Sequence, residues 1–309
     1  MRQRIGHGII NVSRSLFAGS FVQRWGFTSF VYMKVFDAMY GKKDTEVQFR
    51  GARFVMPTKD ITLTPSVMSG VFERHELDIF ERACSAGATV VDVGANIGLY
   101  SVVAAQRIGA SGTVYAFEPV PENIAFLRQN LELNGVTDRV AVQEVAVGEA
   151  DGELEIFLSD RQIGTHSAAK ASAEKASVGK GTSVKVPMRS VDAFVASSEI
   201  SRIDVVKVDV EGYDGQVLQG ALQTLRRHKP ILFIEYSPAL LEACGQNPDE
   251  FVALMGGIYK HCILVDAFKD RVAVIALPDL SKMNIVSHVN LIFAEDISRF
   301  GISGAANAS

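Results

Sequence analysis

The chain has 309 residues, of which 48% are apolar and 21% charged, with a formal net charge of −4. At about 150 residues per domain this allows one large domain or two small ones, and the apolar content can fill a sizeable core. The lack of a basic excess argues against bulk nucleic-acid binding. Cys84, Cys244 and Cys262 are odd in number and far apart, which argues against a disulfide framework or a thiolate metal centre and fits a reducing, cytoplasmic compartment.

Residues 1–36 carry Arg2, Arg4, Arg14, Arg24 and Lys34 and no acid, interleaved with apolar residues such as Ile9, Phe17, Phe21, Trp25 and Tyr32. The bases recur too often for a membrane-spanning helix of about 18 or more apolar residues. No compact apolar run ends in a small-residue cleavage site, so a signal peptide is not expected. Two readings remain: a basic amphipathic helix on the anionic inner face of a membrane, or a helical extension packed on the domain or on a second copy in a homo-oligomer.

From Val47 to Leu63, short apolar runs with Gly51, Pro57 and Asp60 predict a β-hairpin. Glu73 to Cys84 reads as an amphipathic helix stopped by Gly87. Then strands and helices alternate: strand Thr89–Val93, helix Leu99–Ile108, strand Thr113–Phe117, helix Pro121–Asn134, strand Val140–Val147. Residues 159–183, rich in Ser, Ala, Lys and Gly, read as a long loop and a candidate site cover. Asp204–Val210 is the next strand, Val217 to Leu225 a helical stripe, Ile231–Ile234 a strand and Asp249–Met255 a short helix. Cys262–Asp266, Val272–Ala276 and Val289–Ala294 close the series as strands, with antiparallel additions at the sheet edge. The alternation predicts an α/β fold, a mostly parallel sheet with helices on both faces. The expected divisions are a cationic extension 1–45, a hairpin and helix 46–88, a cofactor-binding domain 89–300 and a disordered tail 301–309.

The most informative segment runs from Val91 and Asp92 through Gly94, Ala95, Asn96 and Gly98, an apolar strand turning into a helix. Glycines let a ligand approach the backbone, and free N–H groups at a helix start favour an anionic group. The Gly-x-Asn-x-Gly spacing departs from the Gly-x-Gly-x-x-Gly turn of dinucleotide binders, and Asp92 would repel a pyrophosphate. An acid there suits a cationic ligand such as S-adenosylmethionine. Glu118, followed by Pro119, ends the next strand, where a carboxylate can accept hydrogen bonds from both ribose hydroxyls of an adenosine.

Val91 to Gly98, Phe117-Glu118-Pro119, Leu133-Asn134-Gly135 and Val206-Lys207-Val208-Asp209-Val210-Glu211-Gly212 together resemble the signatures of FkbM-family S-adenosylmethionine-dependent methyltransferases. The resemblance covers about residues 70–240. It implies a class I methyltransferase sheet, Rossmann-like and seven-stranded, with the amino-terminal helix and hairpin as an extension. It also implies O-methyl transfer to a hydroxyl of a sugar, glycan, glycolipid or polyketide-like small molecule.

On a strand, Lys207, Asp209 and Glu211 share one side, with strand geometry relaxing before Glu211, and the carboxyl ends of the strands converge on one crevice. Glu211, Asp209 or His166 of the loop could take the acceptor's proton; Lys207 and Glu235 could bind the acceptor. A carboxylate-held divalent ion is not expected. The competing readings are an NAD-dependent oxidoreductase and a non-catalytic membrane-associated scaffold on the same fold.

Overall fold

The computed structural model describes residues 44–57, 60, 62–158, 183–285 and 287–302. The cationic arm of residues 1–36, His166 with the expected loop as far as residue 182, and the tail from residue 303 lie outside the described residues. Among the described residues no helix is long and apolar enough to cross a membrane. The chain divides into two compact units, one ending at Phe72 and the other beginning at Glu73.

In the first unit, strands β1 (Thr45–Phe49) and β2 (Ala52–Met56) pair antiparallel as a hairpin. Its two turn residues, Arg50 and Gly51, both have positive φ, at 52° and 78°. That backbone twists in the same sense as the strands it joins. The buried Asp60 carboxylate then accepts from the N–H groups of Thr62, Leu63 and Thr64 and starts helix α1 (Leu63–Met68).

The second unit begins with helix α2 (Arg74–Ala83), followed by β3 (Thr89–Val93), α3 (Leu99–Ile108), β4 (Thr113–Phe117), α4 (Pro121–Leu133) and β5 (Val140–Gln143). Three strands form a small separate sheet: β6 (Ala146–Val147), β7 (Gly152–Phe157) and β8 (Ser183–Arg189), in the order β6-β8-β7. After α5 (Val191–Ser197) come β9 (Val205–Val208), α6 (Asp214–Gln219), α7 (Leu222–His228) and β10 (Ile231–Tyr236). The chain continues through α8 (Pro238–Ala243), α9 (Pro248–Gly256), β11 (His261–Asp266), β12 (Arg271–Ala276), α10 (Leu277–Leu280) and β13 (Val289–Phe293).

The main sheet has the order β12-β11-β13-β10-β9-β3-β4-β5. Strands β5, β4, β3, β9 and β10 are parallel, and β13 runs antiparallel between β10 and β11. The sheet therefore has eight strands, not the expected seven; the extra one is β12, which folds back on β11 as an edge hairpin. Two further expectations are corrected. The strand expected over Val140–Val147 is broken, because β6 leaves the main sheet to pair with β8. The helical stripe from Val217 to Leu225 is two helices, divided at Gly220, where a Cβ would lie 2.0 Å from the Gly148 carbonyl oxygen.

The two faces of this sheet differ in chemistry. Val91, Val93, Val206, Val208, Leu232 and Ile234 point to one face and join Val217, Leu218 and Leu225 of α6 and α7 in a continuous apolar core. Residues paired in register share a face, which puts Asp92, Lys207 and Phe233 together on the other face, with Glu235 beside Asn290 further along it. That second face lies under α2: Phe80 packs edge-on against Phe233 at 5.2 Å, and the Asn290 amide donates to Glu76.

Candidate active site

The turn after β3 is tied to the end of β4, because the N–H groups of Gly94 and Ala95 both donate to the Phe117 carbonyl, at 3.0 and 2.9 Å. Gly94 has φ +81°, and a Cβ there would lie 2.0 Å from the Asp209 carbonyl oxygen. Gly98 has φ +90° and faces Leu127 of α4, whose Cδ1 would be 2.6 Å from an added Cβ. The glycines thus admit Asp209 after β9 and the Leu127 side chain of α4; the sequence suggested that both clear space for a ligand, and Gly94, but not Gly98, also lines the crevice described next. The reason is tertiary: a sequence does not say which neighbour closes on a turn.

Asn96, at φ 51°, turns its N–H onto Glu118 Oε2 at 2.8 Å. Glu118 Oε1 accepts from the Val120 N–H at 2.9 Å and from Asn123 Nδ2 at 3.2 Å. Burial pushes the Glu118 carboxyl up to about 7, against these hydrogen bonds, which pull it down. Gly94, Asn96, Glu118, Pro119, Asn123, Asp209 and Glu211 line an open crevice, with Leu154 and Ile156 of β7 on its apolar wall. The amide oxygens of Asn96 and Asn123 are buried without a hydrogen-bond partner among the described residues. Unpaired buried acceptors are costly unless a ligand supplies donors.

Asp92, Ala95 and Gly98 do not line this crevice. Asp92 is 1% exposed and accepts from Ser101 Oγ at 2.6 Å; its other oxygen, Oδ1, has no partner among the described residues. Burial raises its pKa, with Lys207 opposing.

Beyond Asp92, the α2 face of the sheet carries a row of ionisable groups. Lys207 is 4% exposed, sits 4.4 Å from the Tyr100 ring centroid and pairs with Asp209 Oδ2 at 3.0 Å. Burial opposes its charge, but Asp209, Asp92, Glu73 and Glu76 outweigh that and hold its pKa above the usual lysine value. The sequence placed Lys207 against an acceptor; in the structure it is buried and its ammonium meets Asp209. Tyr100 donates to Glu73 Oε2 at 2.6 Å, and burial pushes Glu73 up to about 7. Glu76, Glu211 and Glu235 are all raised well above the usual carboxylate range, by burial first and then by neighbouring acids.

Glu211 has φ 52°, so the chain has left strand geometry before it, as the sequence suggested. The following loop is held by Asp214, whose carboxylate accepts from the N–H of Gly212 at 2.9 Å and of Val210 at 3.4 Å. At the far end of the row, burial lowers the pKa of His288 while Asp209 and Asp266 draw it back up, and its ring meets Phe268 edge-on at 5.3 Å. Among the described residues no group of three or more His, Cys, Asp or Glu could hold a metal ion.

The structure therefore gathers Gly94, Asn96, Glu118, Pro119, Asp209 and Glu211 at one crevice and sets Lys207 and Glu235 on the adjoining row. Sequence reasoning missed Asn123, Asp214, Glu73, Tyr100, Asn290 and His288. Asp214 carried a faint signal as the third acid after Asp209 and Glu211. Glu76 and Asn290, by contrast, are 214 residues apart and meet only in the fold.

The sheet order, the glycine turn and the acid ending the second parallel strand define a class I methyltransferase fold. Residues 92–262, more than half of the chain, match the family model described as the methyltransferase FkbM domain, and the chain belongs to that family. It is 30% identical over 137 residues to the hexuronic acid methyltransferase AglP of Haloferax volcanii, covering 44% of this chain and 50% of that protein. It is 26% identical over 144 residues to Methyltransferase 1 of Beauveria bassiana, covering 42% and 57%. The 2-O-methyltransferase NoeI of Sinorhizobium fredii is 25% identical over 173 residues, covering 52% of this chain and 67% of that one. The chain thus spans about half the length of the first two relatives.

Proposed function

We propose that the protein transfers a methyl group from S-adenosylmethionine to a hydroxyl oxygen of a sugar-like small molecule or glycan. The observation that carries this reading is the Gly94–Asn96–Glu118–Asn123 cradle, in which the Glu118 carboxylate lines a crevice together with Asn96 and Asn123, whose amide oxygens have no partner among the described residues. When bound, the donor supplies an electrophilic methyl carbon on a sulfonium. Glu118 Oε2 keeps one lone pair beyond the one used by Asn96, and it suits a ribose hydroxyl. The Asn96 and Asn123 oxygens suit the remaining hydroxyl or amino donors. A donor of positive charge also fits beside Asp209, where a pyrophosphate would be repelled.

Methyl transfer is an in-line displacement, so the chain's main work is to align the acceptor oxygen and exclude water. Glu211 lies on the crevice wall, and the burial that raises its pKa makes its ionised form a stronger base for the departing hydroxyl proton. Asp209, anchored by Lys207, orients the acceptor beside it. The relatives named for hexuronic acid and 2-O-methyl transfer support an oxygen acceptor.

Calorimetry with S-adenosylhomocysteine and with NAD tests the donor site. Binding of S-adenosylhomocysteine alone is expected; binding of NAD alone would overturn the reading. Glu211→Ala should leave that affinity intact and lower methyl incorporation by about a hundredfold; unchanged turnover would remove Glu211 as the base.

A further inference from the structure

Glu118 lies just past the end of β4, so its hydrogen bonds, and not a strand, fix its side chain. Oε1 accepts from the Val120 N–H at 2.9 Å and from Asn123 Nδ2 at 3.2 Å, and Oε2 accepts from the Asn96 N–H at 2.8 Å. Two of these donors are backbone groups. Among the described residues, Asn123 is the one whose side chain hydrogen-bonds Glu118. It is 3% exposed and holds the third position of α4, after the cap Val120 and the first helical residue Pro121. A side chain at that position often reaches back to the N–H of the cap. Here Glu118 accepts the Val120 N–H, and Asn123 turns to Glu118 instead.

The other half of the Asn123 amide is unsatisfied, since Oδ1 is buried without a partner among the described residues. Leucine has nearly the same shape and would fill the place with no orphaned oxygen, so packing alone does not call for an amide. What the amide adds is a third N–H donor to one carboxylate. An ionised carboxyl offers about four acceptor positions. With two taken on Oε1 and one on Oε2, a proton and a ribose hydroxyl compete for the position left on Oε2. A carboxylate accepts such a hydroxyl about twice as strongly as a neutral carboxyl does.

Resting on the methyl-transfer reading above, we propose that Asn123 is a positioning residue of the donor site: by occupying Glu118 Oε1, its amide nitrogen holds the carboxylate ionised, with Oε2 turned to the ribose of the donor. The acids around Glu118 work in the opposite sense. Asp92 of β3 raises its pKa, and Asp209 and Glu211, with Tyr213, line the same crevice. Burial has already pushed the carboxyl up to about 7, and the Asn123 bond pulls it down. Loss of that bond therefore moves Glu118 from half ionised to mostly neutral at pH 7.

The test compares the parent full chain with Asn123→Leu and repeats the pair in a Glu118→Gln background. In ligand-free protein the Glu118 titration is followed by carbon NMR of labelled glutamate side chains, its resonance being assigned by its loss in Glu118→Gln. Leucine should raise the midpoint by about one pH unit. By calorimetry, the leucine variant should bind S-adenosylhomocysteine about fivefold more weakly at pH 7, the ratio of ionised fractions that this shift gives, and within about twofold of the parent at pH 9. With Glu118→Gln in place, the leucine substitution should change the affinity by the same factor at both pH values, because no carboxyl is left to hold. A cooperative thermal melt establishes that each variant is folded.

A Glu118 titration unmoved by leucine would overturn the proposal. So would parent-like affinity of the leucine variant at pH 7, a loss of equal size at both pH values, or a pH-dependent loss that persists without the Glu118 carboxyl. If the parent itself does not bind S-adenosylhomocysteine, the methyl-transfer reading falls, and the Glu118 titration alone decides whether Asn123 holds the carboxylate.

Discussion

Glu118 and Glu235 are both carboxylates near the carboxyl ends of parallel strands, and both are pushed upward in pKa by burial, yet their surroundings differ. Glu118 is held by two backbone N–H groups from the turns that follow β3 and β4 and by the Asn123 amide of α4. Glu235 is surrounded in the electrostatic sense by Asp209, Glu211, Asp214 and Glu73, which push its pKa further up. The crevice thus meets its acid with backbone N–H groups and the Asn123 amide, whereas among the described residues the α2-face row gathers acids around Lys207. Hydrogen bonds favour the ionised form of Glu118, whereas neighbouring acids favour the neutral form of Glu235.

The strongest way to break this contrast is to remove the row's lysine. Lys207→Met should destabilise the fold by about 3–5 kcal/mol in urea denaturation at pH 8, because Asp209, Asp92, Glu73 and Glu76 lose their shared cation. The loss should shrink as the pH is lowered and those acids are protonated. A variant as stable as the parent would show that the row is solvated and not buried.

Gly94→Ala comes next. A side chain at φ +81° that meets the Asp209 carbonyl at 2.0 Å should cost about 3 kcal/mol and displace the end of β9 from the turn. Both stability and affinity for S-adenosylhomocysteine should fall. If only affinity falls, the glycine serves ligand approach, as the sequence alone suggested.

Glu118→Ala probes the cradle itself. Leaving the Asn96 and Val120 N–H groups without their acceptor should weaken binding of S-adenosylhomocysteine by about 10- to 100-fold. Glu118→Gln should be milder, since an amide oxygen still accepts.

A last test is a pH dependence that both regions share. Glu73, Glu118 and Asp214 each have a folded pKa of about 7, above the ordinary carboxylate value. The stability they contribute is therefore fully present below the unfolded-state pKa and is lost as pH rises through about 7. His288 works in the opposite sense: its folded pKa is depressed, so its contribution is present above the ordinary histidine value and lost as pH falls. The melting temperature of the ligand-free protein should fall between pH 5 and pH 8, and Glu118→Gln should flatten part of that slope. An unchanged slope in the variant would mean that Glu118 does not titrate there.

The sequence by itself determined the alternation of strands and helices, the glycine turn and the acid ending β4. Each of these is local: apolar runs, turn residues and an acid one residue past a strand are visible in a window of a few residues. Asp209 and Glu211 were legible for the same reason, as the polar end of the Val205–Val208 strand. Tertiary structure alone decided the rest. It placed β12 on the sheet edge as an eighth strand, sent β6 to a different sheet, and assigned Gly94 and Gly98 to packing against β9 and α4. It also brought Glu73 and Glu76 of α2, Tyr100 of α3, and Asn290 and His288 of the β13 region to the row that Lys207 serves. Those residues lie far apart along the chain, and what each one does depends on the dielectric and the charges around it, which only the packed sheet and its covering helix create.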